Sequence, residues 1–211
     1  MKFLEFKEAF YHFGLFSIKD IQKLIPGFYF KNLNYWNNKG YLVKLKNGWY
    51  CFPEFLRRPK ANWLIANTIY QPSYISLESA LSFYGVIPEA VFSTTCVSTK
   101  RTMSIQSDAG NFYYYTEKPA LYFGYKLIPF DTKGHDQIST RQIRLADLEK
   151  AILDFLYLRK QYNTEQDIID LRFDAHILQN ELNWGDLFES LEQFENKALE
   201  TRVKKLVEVY R

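Results

Sequence analysis

Cysteine is nearly absent from this chain. Cys51 and Cys96 are the only two in 211 residues, far apart and without CxxC spacing, which excludes a disulfide framework and a paired-cysteine zinc site. Histidine is almost as scarce. His12, His135 and His176 show neither HxH nor HExxH spacing, so two imidazoles are not placed on one metal by any local element. There is no Gly-rich phosphate loop and no GxSxG elbow. No stretch approaches the roughly 18 uninterrupted apolar residues of a membrane span. The opening Met1-Lys2-Phe3-Leu4-Glu5-Phe6-Lys7-Glu8 puts acids where a secretory signal would be apolar. The expectation is a cytoplasmic protein with no membrane partner.

What is present is apolar and aromatic. Hydrophobic residues make up 47% of the chain and aromatics 18%, enough to bury a sizeable core in one large domain or two modest ones. The net charge of +3 hides an uneven distribution: residues 1–60 hold 11 Lys and Arg against four Asp and Glu, whereas residues 61–211 hold 16 against 20. A basic first quarter suits a surface that meets phosphates, and an acidic remainder suits something else.

The first sixty residues read as three helices and a hairpin. Phe3, Phe6, Ala9, Phe10 and Phe13 recur at helical spacing before Gly14. Ser17 and Asp20 form a capping-box pattern ahead of Ile18, Ile21, Leu24 and Ile25, and Pro26-Gly27 forces a turn. A third helix fits Phe30 to Lys39, with Phe30, Leu33 and Trp36 on one side and Gly40 placed as the left-handed cap. Tyr41 to Leu45 and Trp49 to Phe52 flank the turn Lys46-Asn47-Gly48, a hairpin signal. This order predicts a winged helix-turn-helix over residues 1–58.

The third helix carries Lys31, Asn34, Tyr35 and Asn38 at i, i+3, i+4 and i+7, a polar stripe without acids. Asn can bond adenine N6 and N7 together, and Lys reaches guanine acceptors or phosphate. Candidate DNA contacts are therefore Lys31, Asn32, Asn34, Tyr35, Asn38 and Lys39 on the helix, with Lys44, Lys46 and Asn47 on the hairpin touching flanking phosphates or the minor groove. The partner expected is double-stranded DNA.

Arg57-Arg58-Pro59-Lys60 is a basic junction, after which residues 60–211 read as a mixed α/β domain with a helical C-terminal part from about residue 160. Helices fit Asn62 to Tyr70, a segment capped by Ser76 and closed by Gly85, and Ala146 to Leu158. Strands fit Thr94 to Ser98, Met103 to Ser107, Asn111 to Tyr115 and Lys126 to Phe130. Beyond residue 160, Thr164 with Asp167, Asn183 and Asn196 can each open a helix, the last with an apolar stripe of Leu199, Val203, Leu206 and Tyr210. The fold class expected is α+β.

Five segments stand out: Pro72-Ser73-Tyr74-Ile75-Ser76-Leu77-Glu78-Ser79-Ala80-Leu81, Tyr84-Gly85 with Ile87-Pro88-Glu89, Val97-Ser98-Thr99-Lys100, Gly124-Tyr125, and Glu149-Lys150-Ala151-Ile152-Leu153-Asp154. Together they resemble the AbiEi-type antitoxins of type IV, abortive-infection toxin–antitoxin systems. Where that family often has Thr-Pro before the last helix, this chain has Asp147-Leu148. The resemblance implies a winged helix that represses its own operon at inverted repeats. It also implies a second domain that counters a nucleotidyltransferase-like toxin, not necessarily through a stable complex.

No enzymatic site emerges. Glu149 and Asp154 do not converge on a helix, Lys150 and Asp154 read as an exposed i, i+4 ion pair, and Thr132-Lys133-Gly134-His135-Asp136 reads as a surface loop. The aromatic clusters at 112–115 and 122–125 read as core and cross-strand packing. No catalytic residue, cofactor or metal is expected. The alternatives left open are a regulator whose α/β domain senses a small ligand, and a DNA-processing enzyme with a winged-helix targeting module.

Overall fold

The computed structural model describes residues 1–46, 48–131, 138 and 140–211. It is a mixed α+β protein with ten α-helices and two sheets among the described residues. None of these helices is long and apolar enough to cross a membrane. The chain divides into two compact units: Met1–Gln71 with Ile105–Asn111 and Ile128–Ile143, and Pro72–Ser104 with Phe112–Leu127 and Arg144–Arg211. The first unit thus extends past residue 58 and takes in two later segments.

In the first unit, α1 (Phe3–Phe10) passes into a 3₁₀ turn at Tyr11–Phe13, then β1 (Leu15–Ser17), α2 (Ile18–Leu24) and α3 (Lys31–Asn38) follow. β2 (Val43–Lys46) and β3 (Trp49–Cys51) come next, then a 3₁₀ turn at Pro53–Arg57 and α4 (Ala61–Ile69). β3 lies between β1 and β2 and is antiparallel to both, with a register shift between Lys44 and Lys46. The capping box that opens α2 forms as the sequence predicts: Ser17 N donates to Asp20 Oδ2 at 2.7 Å, and Asp20 N to Ser17 Oγ at 3.3 Å. Gly40, at φ +72, closes the turn after α3 in the left-handed region that residues with a Cβ avoid. The core is aromatic: Phe6, Phe10, Phe16, Phe28, Trp36, Tyr50 and Phe52 pack with Ile21, Leu33 and Leu42. Phe6 alone has five aromatic rings within 6.5 Å, namely Phe10, Phe16, Phe28, Trp36 and Phe52.

Further along the chain come β4 (Tyr74–Ile75), α5 (Leu77–Phe83), β5 (Thr94–Ser98), β6 (Met103–Ser107), β7 (Gly110–Thr116), β8 (Tyr125–Pro129), β9 (Gln142–Ala146) and α6 (Leu148–Leu158), of which β4, α5, β5 and α6 lie wholly in the second unit. The sheet order is β6-β7-β5-β4-β9-β8. β4 is antiparallel to β5, with Tyr74 opposite Val97, and parallel to β9, with Ile75 opposite Leu145; β5 is parallel to β7. Every residue of β5 is buried, which explains its run without polar alternation. α7 (Glu165–Asp170), α8 (Ala175–Asn180), α9 (Trp184–Glu192) and α10 (Lys197–Tyr210) complete the unit. Thr164, Asn183 and Asn196 cap α7, α9 and α10 as predicted, and Leu199, Val203, Leu206 and Tyr210 are buried.

Three expectations about local structure change. Ala146 ends β9, and α6 starts only at Leu148, with Asp147 at its N-cap. Ser76 stands at the N-cap of α5, but its hydroxyl makes no cap bond. The opening helix stops at Phe10, its last turn tightening to 3₁₀ before Gly14.

Candidate nucleic-acid interface

α3 is amphipathic in the literal sense. Leu33 and Trp36 are buried and anchor it to the core, so the opposite face must point out. Lys31, Asn34, Tyr35, Asn38 and Lys39 are exposed, Tyr35 by 57%, and Asn32 is half-buried at the edge of this face. Lys31 Nζ lies 5.9 Å from the centre of the Tyr29 ring, and Lys39 Nζ is equally far from the Tyr35 ring. These contacts tether cations loosely while leaving their N–H donors to solvent.

The two described lysines of the hairpin point different ways. Lys44 is exposed on β2, and its backbone N–H donates to Asn37 Oδ1 at 2.9 Å, which ties the strand to α3. Asn37 is therefore a positioning residue. Lys46 turns inward: its ammonium donates to Ile69 O at 3.3 Å and lies 4.5 Å from the centre of the Tyr70 ring. It is committed within the unit, unlike the phosphate-facing lysine that its place in the hairpin suggests. Asn47, the remaining candidate, lies outside the described residues, as do His135 and Asp136.

Two exposed aromatics escaped the sequence reading. Tyr29 and Tyr41 flank α3 at either end and are exposed, with Tyr41 resting against Phe3 at 4.8 Å between centroids. With Tyr35 they give the basic face three phenol rings. No acidic residue occurs from Lys31 to Phe52, so nothing on the α3–hairpin segment opposes an approaching phosphate.

The second unit holds a polar cluster of another kind. Lys150, read from the sequence as half of an exposed ion pair, is fully buried together with Asp154. Its ammonium bonds Asp154 Oδ1 and also donates to Glu117 Oε2 at 3.1 Å. Asp154 Oδ2 accepts from Tyr74 Oη at 2.9 Å and from Ser76 Oγ at 2.7 Å, which is where the hydroxyl predicted to cap α5 is spent. Rings of Tyr74, Phe123 and Phe194 surround the ammonium at 4.8–5.6 Å. Gly124, at φ +67, lets the backbone pass the Lys150 stem, because a Cβ there would sit 3.0 Å from Lys150 Cβ and Cγ.

Two carboxylates around one ammonium leave a surplus negative charge in a dry place, and the cluster answers by holding a proton. Burial first, and then the neighbouring Asp154 carboxylate, push the Glu117 carboxyl up to about 8 against the pull of Lys150. Burial likewise raises the Tyr74 phenol well above its usual value, keeping it a donor. All five side chains are buried, and their bonds join β4, the end of β7 and α6.

Among the described residues, no three His, Cys, Asp or Glu side chains gather as a metal set. No family model matches this chain, and no curated protein does either.

Proposed function

We propose that this chain is an AbiEi-type antitoxin and autorepressor. In this reading the first unit is a winged helix in which α3 enters the major groove and the β2–β3 hairpin is the wing, and the second unit counters a nucleotidyltransferase-like toxin. The observation that carries the DNA-binding part is the exposed Lys31, Asn34, Tyr35 and Asn38 face of α3, held outward by the burial of Leu33 and Trp36. The antitoxin part rests on the five sequence segments that resemble that family. Such a repressor works in the cytoplasm on its own promoter. Paired half-sites suit it, because one winged helix covers too few base pairs for useful specificity and two copies add their free energies.

The test is a fluorescence-anisotropy titration against the chain's own promoter and a scrambled duplex, together with growth rescue when the adjacent gene is induced. The reading requires tighter binding to the promoter and rescue by the full chain. Equal affinity for both duplexes ends the repressor part, and failure to rescue ends the antitoxin part.

A second reading, a regulator that senses a small ligand, is favoured by one feature. A cavity of about 400 Å³ in the second unit is bounded by Tyr84, Lys126, Asp147, Glu149, Glu181 and Asp186. Release from promoter DNA by a small cation would support it.

A further inference from the structure

α1 buries Phe6 and Phe10 and leaves its other face uncovered. Leu4 on α1 is 68% exposed, and Tyr11, in the 3₁₀ turn that continues it, is 51% exposed. Between them lie Lys7 and Glu8, and the four residues line a groove of about 490 Å³. Lys7 rests over the Tyr11 ring at 5.5 Å and reaches Glu54, while Glu8 points into solvent.

The order of these four residues is self-complementary. A two-fold axis crossing α1 between Lys7 and Glu8 sets Leu4 of one copy against Tyr11 of the other, and Lys7 against Glu8, twice over. A closed two-fold contact must use the same patch on both partners, and this patch meets that demand in apolar shape, with exposed Glu8 facing the partner's Lys7, whose ammonium also holds Glu54 of its own chain. We propose that this face is where a second copy of the chain docks, α1 packing antiparallel on α1. Two eight-residue helices bury less than the roughly 1,200 Å² of a stable interface, so the contact is weak in free solution and gains weight when two copies are held close. Its use at paired half-sites rests on the repressor reading, but the contact itself does not need DNA.

The test therefore omits DNA. Leu4→Cys and Tyr11→Cys are made in the full chain, where native Cys51 and Cys96 are buried, and are oxidised singly and as a mixture. Antiparallel docking predicts that the mixed disulfide dominates over both same-variant dimers. In parallel, sedimentation equilibrium should show Glu8→Lys weakening self-association by about tenfold, since it turns two attractive pairs repulsive. Equal disulfide yields in all three samples overturn the proposal, as does unchanged association in Glu8→Lys. A chain that docks as proposed yet fails to bind its promoter would overturn only the repressor reading.

Discussion

At the level of single residues, the two lysines of the hairpin separate into different roles. Lys44 is free to meet a phosphate, so Lys44→Ala should weaken binding to every duplex alike and make the salt dependence shallower by about one unit of slope. Lys46→Ala should leave that slope unchanged, because its ammonium is already held by Ile69 and Tyr70. Asn34→Ala and Asn38→Ala should instead lower discrimination between promoter and scrambled DNA by about 1–3 kcal/mol per lost base contact. One salt titration with the four variants and both duplexes reads all of this. Equal effects of the Asn changes on both duplexes would leave the α3 stripe a solvated face. In the second unit, Lys150→Met removes the ammonium that bonds the buried Asp154 and Glu117 side chains. A loss of about 3–5 kcal/mol is expected by urea unfolding, far above the 0–1 kcal/mol of the exposed pair that the i, i+4 spacing suggests.

Among the elements, those with a chemical start signal were legible and those defined by a partner were not. α2, α7, α9 and α10 announce themselves through Ser17, Thr164, Asn183 and Asn196, each of which accepts the expected backbone bond. Ser17→Ala should accordingly cost about 1 kcal/mol in a thermal melt. β4 has two residues and β1 three, too few for alternation to register, and each exists because a neighbouring strand supplies its hydrogen bonds. The candidate interface was legible in part for the same reason. The α3 face follows from periodicity within one helix, whereas the inward turn of Lys46 depends on Ile69 and Tyr70, 23 and 24 residues onward, where α4 ends. The buried cluster was invisible because an i, i+4 Lys–Asp pair looks the same in sequence whether water or Tyr74, Ser76 and Glu117 surround it.

For the molecule as a whole, the chain passes between the two compact units at 71/72, 104/105, 111/112, 127/128 and 143/144, so no single cut separates them. A fragment of residues 1–58 would lose Phe130, stacked on Phe55 at 5.6 Å, and Asp131, bonded to Arg58 at 2.7 Å. It should melt less cooperatively than the intact protein by circular dichroism. The proton held at Glu117 sets a pH dependence whose sign is fixed. The folded carboxyl titrates at about 8 and the unfolded one at its ordinary 4.5. The folded chain therefore binds more protons between those values, and this contribution, full below 4.5, is lost as pH rises through 8. Urea midpoints measured across that window should fall toward the alkaline side, and Glu117→Gln should flatten the trend. The same cluster also imposes an order on synthesis. Tyr74 and Ser76 leave the ribosome some eighty residues before Asp154, the residue that accepts both of their hydroxyls. At roughly 5–20 residues per second, they wait on the order of 4–16 s, with β5 made and the cluster still open. Slower translation between residues 98 and 154 lengthens that wait, so synonymous rare codons placed there should lower the yield of folded chain.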